Sequence, residues 1–170
     1  MTNLREAYAS TALASLEWSE ERERAIDRVA AAGKCSRLGV DLWKARYMLE
    51  SKAYQDCSEG LRLHYLNRYK AESQGIAERI VSECLHEFLG PVCLVCSGRR
   101  ELIAGDLKIT CAECDGSGLR RYSDVDRARH MQLSLEYVLV LSRKIGWLMN
   151  ELFELDRSVN AVLAEELERP

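Results

Sequence analysis

The sequence predicts a mainly α-helical fold: a helical bundle with an inserted four-cysteine zinc-binding β-hairpin. Three observations carry that prediction. Apolar residues recur at spacings of three and four through most of the chain. Only two prolines occur, Pro91 and Pro170, so nothing before residue 91 breaks a helix by removing a backbone donor. Four of the seven cysteines fall in one short stretch as two Cys-x-x-Cys pairs. The organisation is then a helical region over 1–90, a zinc-binding module over 91–121 and a second helical region over 122–170.

Each element has its own signal. Ser19 ahead of Glu20 and Glu21 reads as an N-cap with acids in the first turn, where they suit the helix dipole. From Ser36 to Cys57, Leu38, Leu42, Ala45, Leu49 and Ala53 form one stripe, with Trp43, Tyr47 and Tyr54 beside it, so a wide apolar face is expected. Gly60 reads as a break, followed by a shorter helix holding Leu61, Tyr65, Leu66 and Tyr69. After Gly75, Ile76, Ile80, Cys84 and Phe88 share a face with Ala77, Val81 and Leu85 next to it. Gly90-Pro91 stops that helix. Helical character returns with Ser123 and Asp126, a capping box in its acidic variant. Leu133, Leu135, Val138, Leu139, Leu141 and Ile145 then lead to Trp147, Leu148 and Leu152, and a last helix holds Val159, Val162, Leu163 and Leu167. The aromatic stripes are read as core, and His64 and His86 as ordinary residues without a second metal ligand at helical spacing.

Composition bounds the function. Hydrophobic residues make up 47% and charged residues 30% of 170, the balance of a soluble globular protein. No apolar run reaches the length needed to cross a bilayer, and MTNLREAYAS is charged too early for a secretory signal. The expected location is therefore a reducing cytoplasm, where clustered cysteines point to metal and the scattered Cys35, Cys57 and Cys84 to small buried hydrophobes. The net charge of −3 argues against a broad nucleic-acid face. From Ser97 to Lys144, however, nine Lys and Arg meet seven Asp and Glu, and from Ile145 onward two meet six. A small local DNA footprint is compatible with that distribution.

The cysteine segment reads CLVCSGRRELIAGDLKITCAECDGSG. Cys93 and Cys96 are separated from Cys111 and Cys114 by the fourteen residues 97–110. Two thiolates three positions apart grip one metal from a tight turn, and Gly98 and Gly116 follow where the chain must curl away. Between the pairs, Glu101–Ala104 and Leu107–Thr110 flank Gly105-Asp106, a hairpin signal that would fold one knuckle back on the other. Four thiolates close a tetrahedral site, which favours one structural Zn2+ over a catalytic one. Disulfides, a redox Cys-x-x-Cys and an iron–sulfur cluster are the competing uses of such a set. Arg99-Arg100, Arg120-Arg121 and Lys108 lie around the module. They either offset the −2 charge of a zinc with four thiolates or extend toward phosphates or an acidic partner.

Paired Cys-x-x-Cys-x-Gly knuckles also occur in the cysteine-rich region of DnaJ-type chaperones, which has four repeats and two zincs; this chain has two repeats and no His-Pro-Asp. Its sequence more closely resembles the lambda-type phage late-gene antitermination protein Q family. The shared order is a knuckle, a hairpin-sized insert, the knuckle Cys111-Ala112-Glu113-Cys114-Asp115-Gly116-Ser117-Gly118, then Tyr122-Ser123 and a helical stretch containing Trp147. The resemblance covers roughly residues 90–165. It implies a protein of the bacterial host cytoplasm that binds double-stranded DNA beside a late promoter and joins a paused bacterial RNA polymerase, which then reads through terminators. It also implies a helix-turn-helix with a first helix of about 124–141 and Arg143, Lys144, Trp147 and Asn150 at or near the recognition helix. Lys and Arg there would meet phosphates or guanine edges, and Asn would pair with adenine. Arg120, Arg121, Arg127 and Arg129 complete the basic set. Two departures from the family pattern stand out. Arg99-Arg100 replaces the second glycine after the first knuckle, and no glycine-centred turn interrupts Leu133–Leu141. Two packed core helices without DNA contact are the plain alternative for 124–155.

No open metal site, glycine-rich phosphate loop or nucleophile–base arrangement supports an enzyme, and no small-molecule substrate is expected. The rival function is a zinc-containing protein-docking or chaperone-like module without DNA binding.

Overall fold

The computed structural model describes residues 20–31, 33–90, 92–104 and 107–167. Among these, six α-helices and one two-stranded antiparallel sheet occur: α1 (Glu20–Ala31), α2 (Arg37–Trp43), α3 (Ser51–Arg68), α4 (Gln74–Leu89), β1 (Glu101–Ala104), β2 (Leu107–Thr110), α5 (Asp124–Met131) and α6 (Leu135–Leu167). The described residues divide into two compact units, one within 20–88 and 124–167 and the other within 89–123. The two helical regions of the sequence thus belong to one unit. None of the described helices is long and apolar enough to cross a membrane. Ser19, Pro91, Gly105-Asp106 and the amino-terminal stretch lie outside the described residues.

The spine of the helical unit is α6, 33 residues and about 50 Å long at 1.5 Å per residue. It buries Val138, Leu141, Ile145, Leu148, Leu152, Val159 and Leu163, a three-and-four stripe that continues through both segments expected as separate helices. No glycine or proline falls between Leu152 and Val159, so nothing stops the helix there. Toward its C-terminal end, Val159 and Leu163 pack with Ala25, Ile26 and Val29 of α1 and Val40 and Trp43 of α2. The Trp43 indole donates to Asn160 Oδ1 at 3.2 Å, satisfying the one polar atom of that side chain. Farther along, Ile80, Val81, Cys84, Leu85 and Phe88 of α4 are buried, with the Phe88 and Phe153 rings 5.3 Å apart. Cys57 and Cys84 are fully buried, and burial pushes the Cys57 thiol up to about 12, so both behave as small hydrophobes. Cys35 is half-buried against the α1–α2 cluster.

Three boundaries differ from the sequence reading. Gly60 does not break a helix: α3 runs through it, and a Cβ there would lie 2.9 Å from Leu38 Cδ1. The glycine marks close packing of that side chain on α3 rather than a stop. The stretch 36–57 is not one helix. Beyond α2, Lys44–Met48 widens into a π-helical turn, and Leu49 takes a left-handed conformation (φ 56°) before α3 begins. That turn aims Arg46 and Tyr47 at the same carboxylate, Asp156 of α6, at 2.8 and 3.5 Å. Finally, the helix expected over 124–141 is interrupted at Gln132 (φ 53°), and α6 then starts at Leu135 with Ser134 Oγ accepting from the Tyr137 N–H at 3.2 Å. The helix break therefore falls at 132–134, and the chain from Arg143 to Asn150 is uninterrupted helix.

Candidate metal centre

The module of residues 89–123 is built from two equivalent halves, eighteen residues apart. In the first, Gly98 N donates to Cys93 O (3.3 Å) and Arg99 N to Cys96 O (3.0 Å). In the second, Gly116 N donates to Cys111 O (3.2 Å) and Ser117 N to Cys114 O (3.0 Å). Each turn passes through two left-handed residues, Ser97 and Gly98 in one and Asp115 and Gly116 in the other. The halves lock reciprocally: the Cys93 amide donates to Gly118 O and the Cys111 amide to Arg100 O, both at 2.9 Å. Arg100 (φ 70°) and Gly118 (φ 77°) are also left-handed, so the position after each knuckle carries the same backbone conformation. A second glycine in a knuckle is the sequence signal of that requirement, and Arg100 meets it without being glycine.

Between the halves, β1 and β2 pair with Glu101 opposite Thr110, Leu102 opposite Ile109, Ile103 opposite Lys108 and Ala104 opposite Leu107. Leu102 packs on the cysteines. The ends of the module close through a bridge between Val92 and Leu119, and the Tyr122 hydroxyl donates to Gly90 O at 2.9 Å. The Tyr of the Tyr-Ser pair therefore has a structural role where the two ends of the module meet, with Arg120 stacked 4.7 Å over its ring.

This framework brings Cys93, Cys96, Cys111 and Cys114 together, all fully buried, with their sulfurs within 4.8 Å of one another. The Cys93 and Cys111 sulfurs lie 4.0 Å apart and those of Cys96 and Cys114 3.8 Å apart. All four are free thiols at nearly twice disulfide distance. Burial pushes the Cys111 thiol up to about 11. Burial acts in the same direction on Cys114, but the Gly118 N–H at 3.3 Å from its sulfur and the neighbouring thiols outweigh it, bringing that thiol down to about 7. Four buried soft donors with one ready to ionise near neutrality suit a metal ion. They are the only such group among the described residues.

The basic candidates are placed unevenly. Arg121 pairs with Asp115 at 2.7 Å and Arg129 with Asp126 at 3.5 Å. Arg127 makes a bidentate bond to buried Glu87, at 2.6 and 2.9 Å, and a further bond to Asp124, so it ties α5 to α4. Near Glu87, the His130 ring reaches Glu83 at 3.3 Å, and Arg79 donates to the carbonyls of Met131 and Gln132 at the end of α5. Lys144 is bonded to Glu72 and lies over the Tyr69 ring. Trp147 is half-buried, stacked on His64 at 5.4 Å and capped by Arg68 at 5.1 Å. Arg143 and Asn150 are exposed, seven residues apart and so on one face of α6. The partners Glu87 and Glu72 were not legible in the sequence, since neither shares an element with the cation it holds. No family model matches the chain, and no curated protein or solved structure is significantly similar to it.

Proposed function

We propose that the four cysteines hold one structural Zn2+ and that the chain is a non-enzymatic transcription antitermination factor of the phage Q type. On this reading it binds double-stranded DNA beside a late promoter, joins paused bacterial RNA polymerase in the host cytoplasm, and leaves the enzyme able to pass terminators. The spacing of the sulfurs carries the metal assignment. With Zn–S bonds of 2.3 Å, the edge of a regular tetrahedron is about 3.8 Å, and the two cross-knuckle pairs stand at 4.0 and 3.8 Å. Four thiolates leave no position for substrate or water, which fits a structural ion.

The factor reading rests on the order of parts: paired knuckles around a hairpin, Tyr122-Ser123, a short helix, a tight turn and a helix containing Trp147. Arg143 and Asn150, on the exposed face of α6, are the residues best placed for phosphate and base edges. Arg127, Lys144 and Trp147 would support that surface by holding the helices. The test is selection of DNA from the fragmented source genome by the zinc-loaded full chain. One recovered site overlapping a promoter, with binding that falls steeply as salt rises, is the expected result. Recovery at background with zinc retained would overturn the DNA part of the proposal.

A second reading, a protein-docking module without DNA binding, is favoured by one observation: Leu94, Val95, Ile103, Leu107, Ile109 and Leu119 are all exposed on this small module.

A further inference from the structure

Six large aliphatic side chains are exposed within the thirty-five residues 89–123. Their arrangement on the hairpin is specific. Opposite residues of an antiparallel pair share a face, so Ile103 lies with Lys108 on one side and Leu107 with Ile109 and Leu102 on the other. Ile103 is 71% exposed, Leu107 69% and Ile109 50%. A flat partner could cover one side and would leave the other in water. Only a cleft closes on both.

We propose that the β1–β2 hairpin is a docking finger that inserts into an apolar cleft with an acidic rim on another protein. Charge argues for that occupant. Arg99 and Arg100, both exposed, stand at the base of β1. Lys108 projects from the middle of β2, its pair with Glu101 only a loose 3.8 Å between well-exposed side chains. Carboxylates at a cleft mouth would meet these cations as the aliphatic residues enter, steering the encounter and fixing its register. An anionic lipid surface fits less well. Residues 99–110 hold only three cations, Arg99, Arg100 and Lys108, against Glu101 and Asp106, too small an excess for an anionic surface to hold the hairpin by charge. Nucleic acid fits least, since Ile and Leu offer neither a stacking face nor a hydrogen bond to a base. The inference rests on the protein-binding part of the proposed function and is independent of whether the chain also binds DNA.

The test places a photo-crosslinking amino acid at position 103 or at position 107 of the full chain, with Tyr54 on α3 as the control position, in the native cells. Expected is an adduct with one and the same protein from both positions, on two segments of it that carry Asp or Glu near the joined residue. The change Lys108→Glu, at an exposed side chain outside the knuckles, should reduce both adducts several-fold while metal content stays at one zinc per chain. Adducts no stronger than at the control, adducts with a second copy of this chain, or co-sedimentation of the purified chain with phosphatidylglycerol vesicles that Ile103→Ser and Leu107→Ser abolish would each overturn the proposal. A chain that still selects its DNA site yet gives no two-sided adduct refutes the finger alone. A two-sided adduct without DNA selection refutes the DNA reading alone.

Discussion

The equivalence of Arg100 and Gly118 can be tested by exchanging their side chains for what the backbone prefers. At Gly118, φ is 77° and a Cβ would sit 2.8 Å from the Gly98 carbonyl oxygen and 3.2 Å from Arg100 Cγ. A left-handed non-glycine residue costs about 1–2 kcal/mol, and a contact with fixed backbone adds about 1–3 kcal/mol, as in other overpacked sites. Gly118→Ala should therefore destabilise the metal-bound module by about 3 kcal/mol. If the module holds zinc as proposed, binding the ion and folding the module are one equilibrium, and that loss would appear as roughly a hundredfold weaker zinc binding. At Arg100, φ is 70° and the strain is already present. Arg100→Gly removes about 1–2 kcal/mol of it and costs about 0.5–1 kcal/mol in unfolded-chain entropy. The net expectation is a few-fold tighter binding. Competition against a colorimetric chelator, with helical circular dichroism as a control for the other unit, measures both changes. If Arg100→Gly weakened zinc binding, or Gly118→Ala left it untouched, backbone conformation would not be what makes the halves equivalent.

Further expectations concern the metal and the helical unit. Cys111→Ser should abolish zinc binding and leave residues 92–119 sensitive to protease while most helical dichroism persists; retention of stoichiometric zinc would contradict the four-cysteine assignment. Arg127→Ala leaves the Glu87 carboxylate buried without its partner and should cost about 3 kcal/mol in urea unfolding, whereas Arg143→Ala should leave stability unchanged and weaken DNA binding. Equal stability of the two variants would show that Arg127 is not a fixed part of the fold. Burial raises the Glu83 carboxyl above its ordinary range despite His130 beside it. A carboxyl with a raised folded value binds its proton more tightly when folded, so its contribution is fullest at low pH and is lost as pH climbs from the ordinary carboxylate value through the raised one. Glu83→Gln should flatten that part of the stability–pH profile, and an unchanged slope would place its cause in other groups.

Much of this fold is legible in residue spacing, and the failures have physical causes. The apolar repeat of α4 is clean because its neighbours cover one side, so Ile80, Cys84 and Phe88 are buried as their spacing requires. Gly60 misleads because glycine serves two purposes, as a helix stop and as a place where a side chain comes close; only the position of Leu38, twenty-two residues earlier, tells them apart. The break at Gln132 has one weak local signal, the cap residue Ser134. The left-handed conformation is adopted by a residue with a Cβ, and the turn is held from another element by Arg79 on the carbonyls of Met131 and Gln132. The four-cysteine cluster is the most legible part, because residue type, spacing and turn glycines are all local. What remained hidden there is the reciprocal bonding of Cys93 to Gly118 and Cys111 to Arg100, a relation between two stretches that each look complete.

The same distinction governs the basic residues. A list of Arg and Lys read from sequence treats them alike, yet the fold assigns them to different tasks. Arg127 bridges α5 to α4 through Glu87, Lys144 bridges α6 to the turn before α4 through Glu72, and Arg121 is paired within the cysteine module. Each of these cations is already opposed by a carboxylate, so bringing phosphate to it means competing with an existing pair. Arg143 has no ion pair among the described residues and faces water on the same side of α6 as Asn150. If the chain binds DNA as proposed, the footprint would be small and centred on α6, and its salt dependence should reflect a few phosphates rather than the full set of basic positions a sequence list offers.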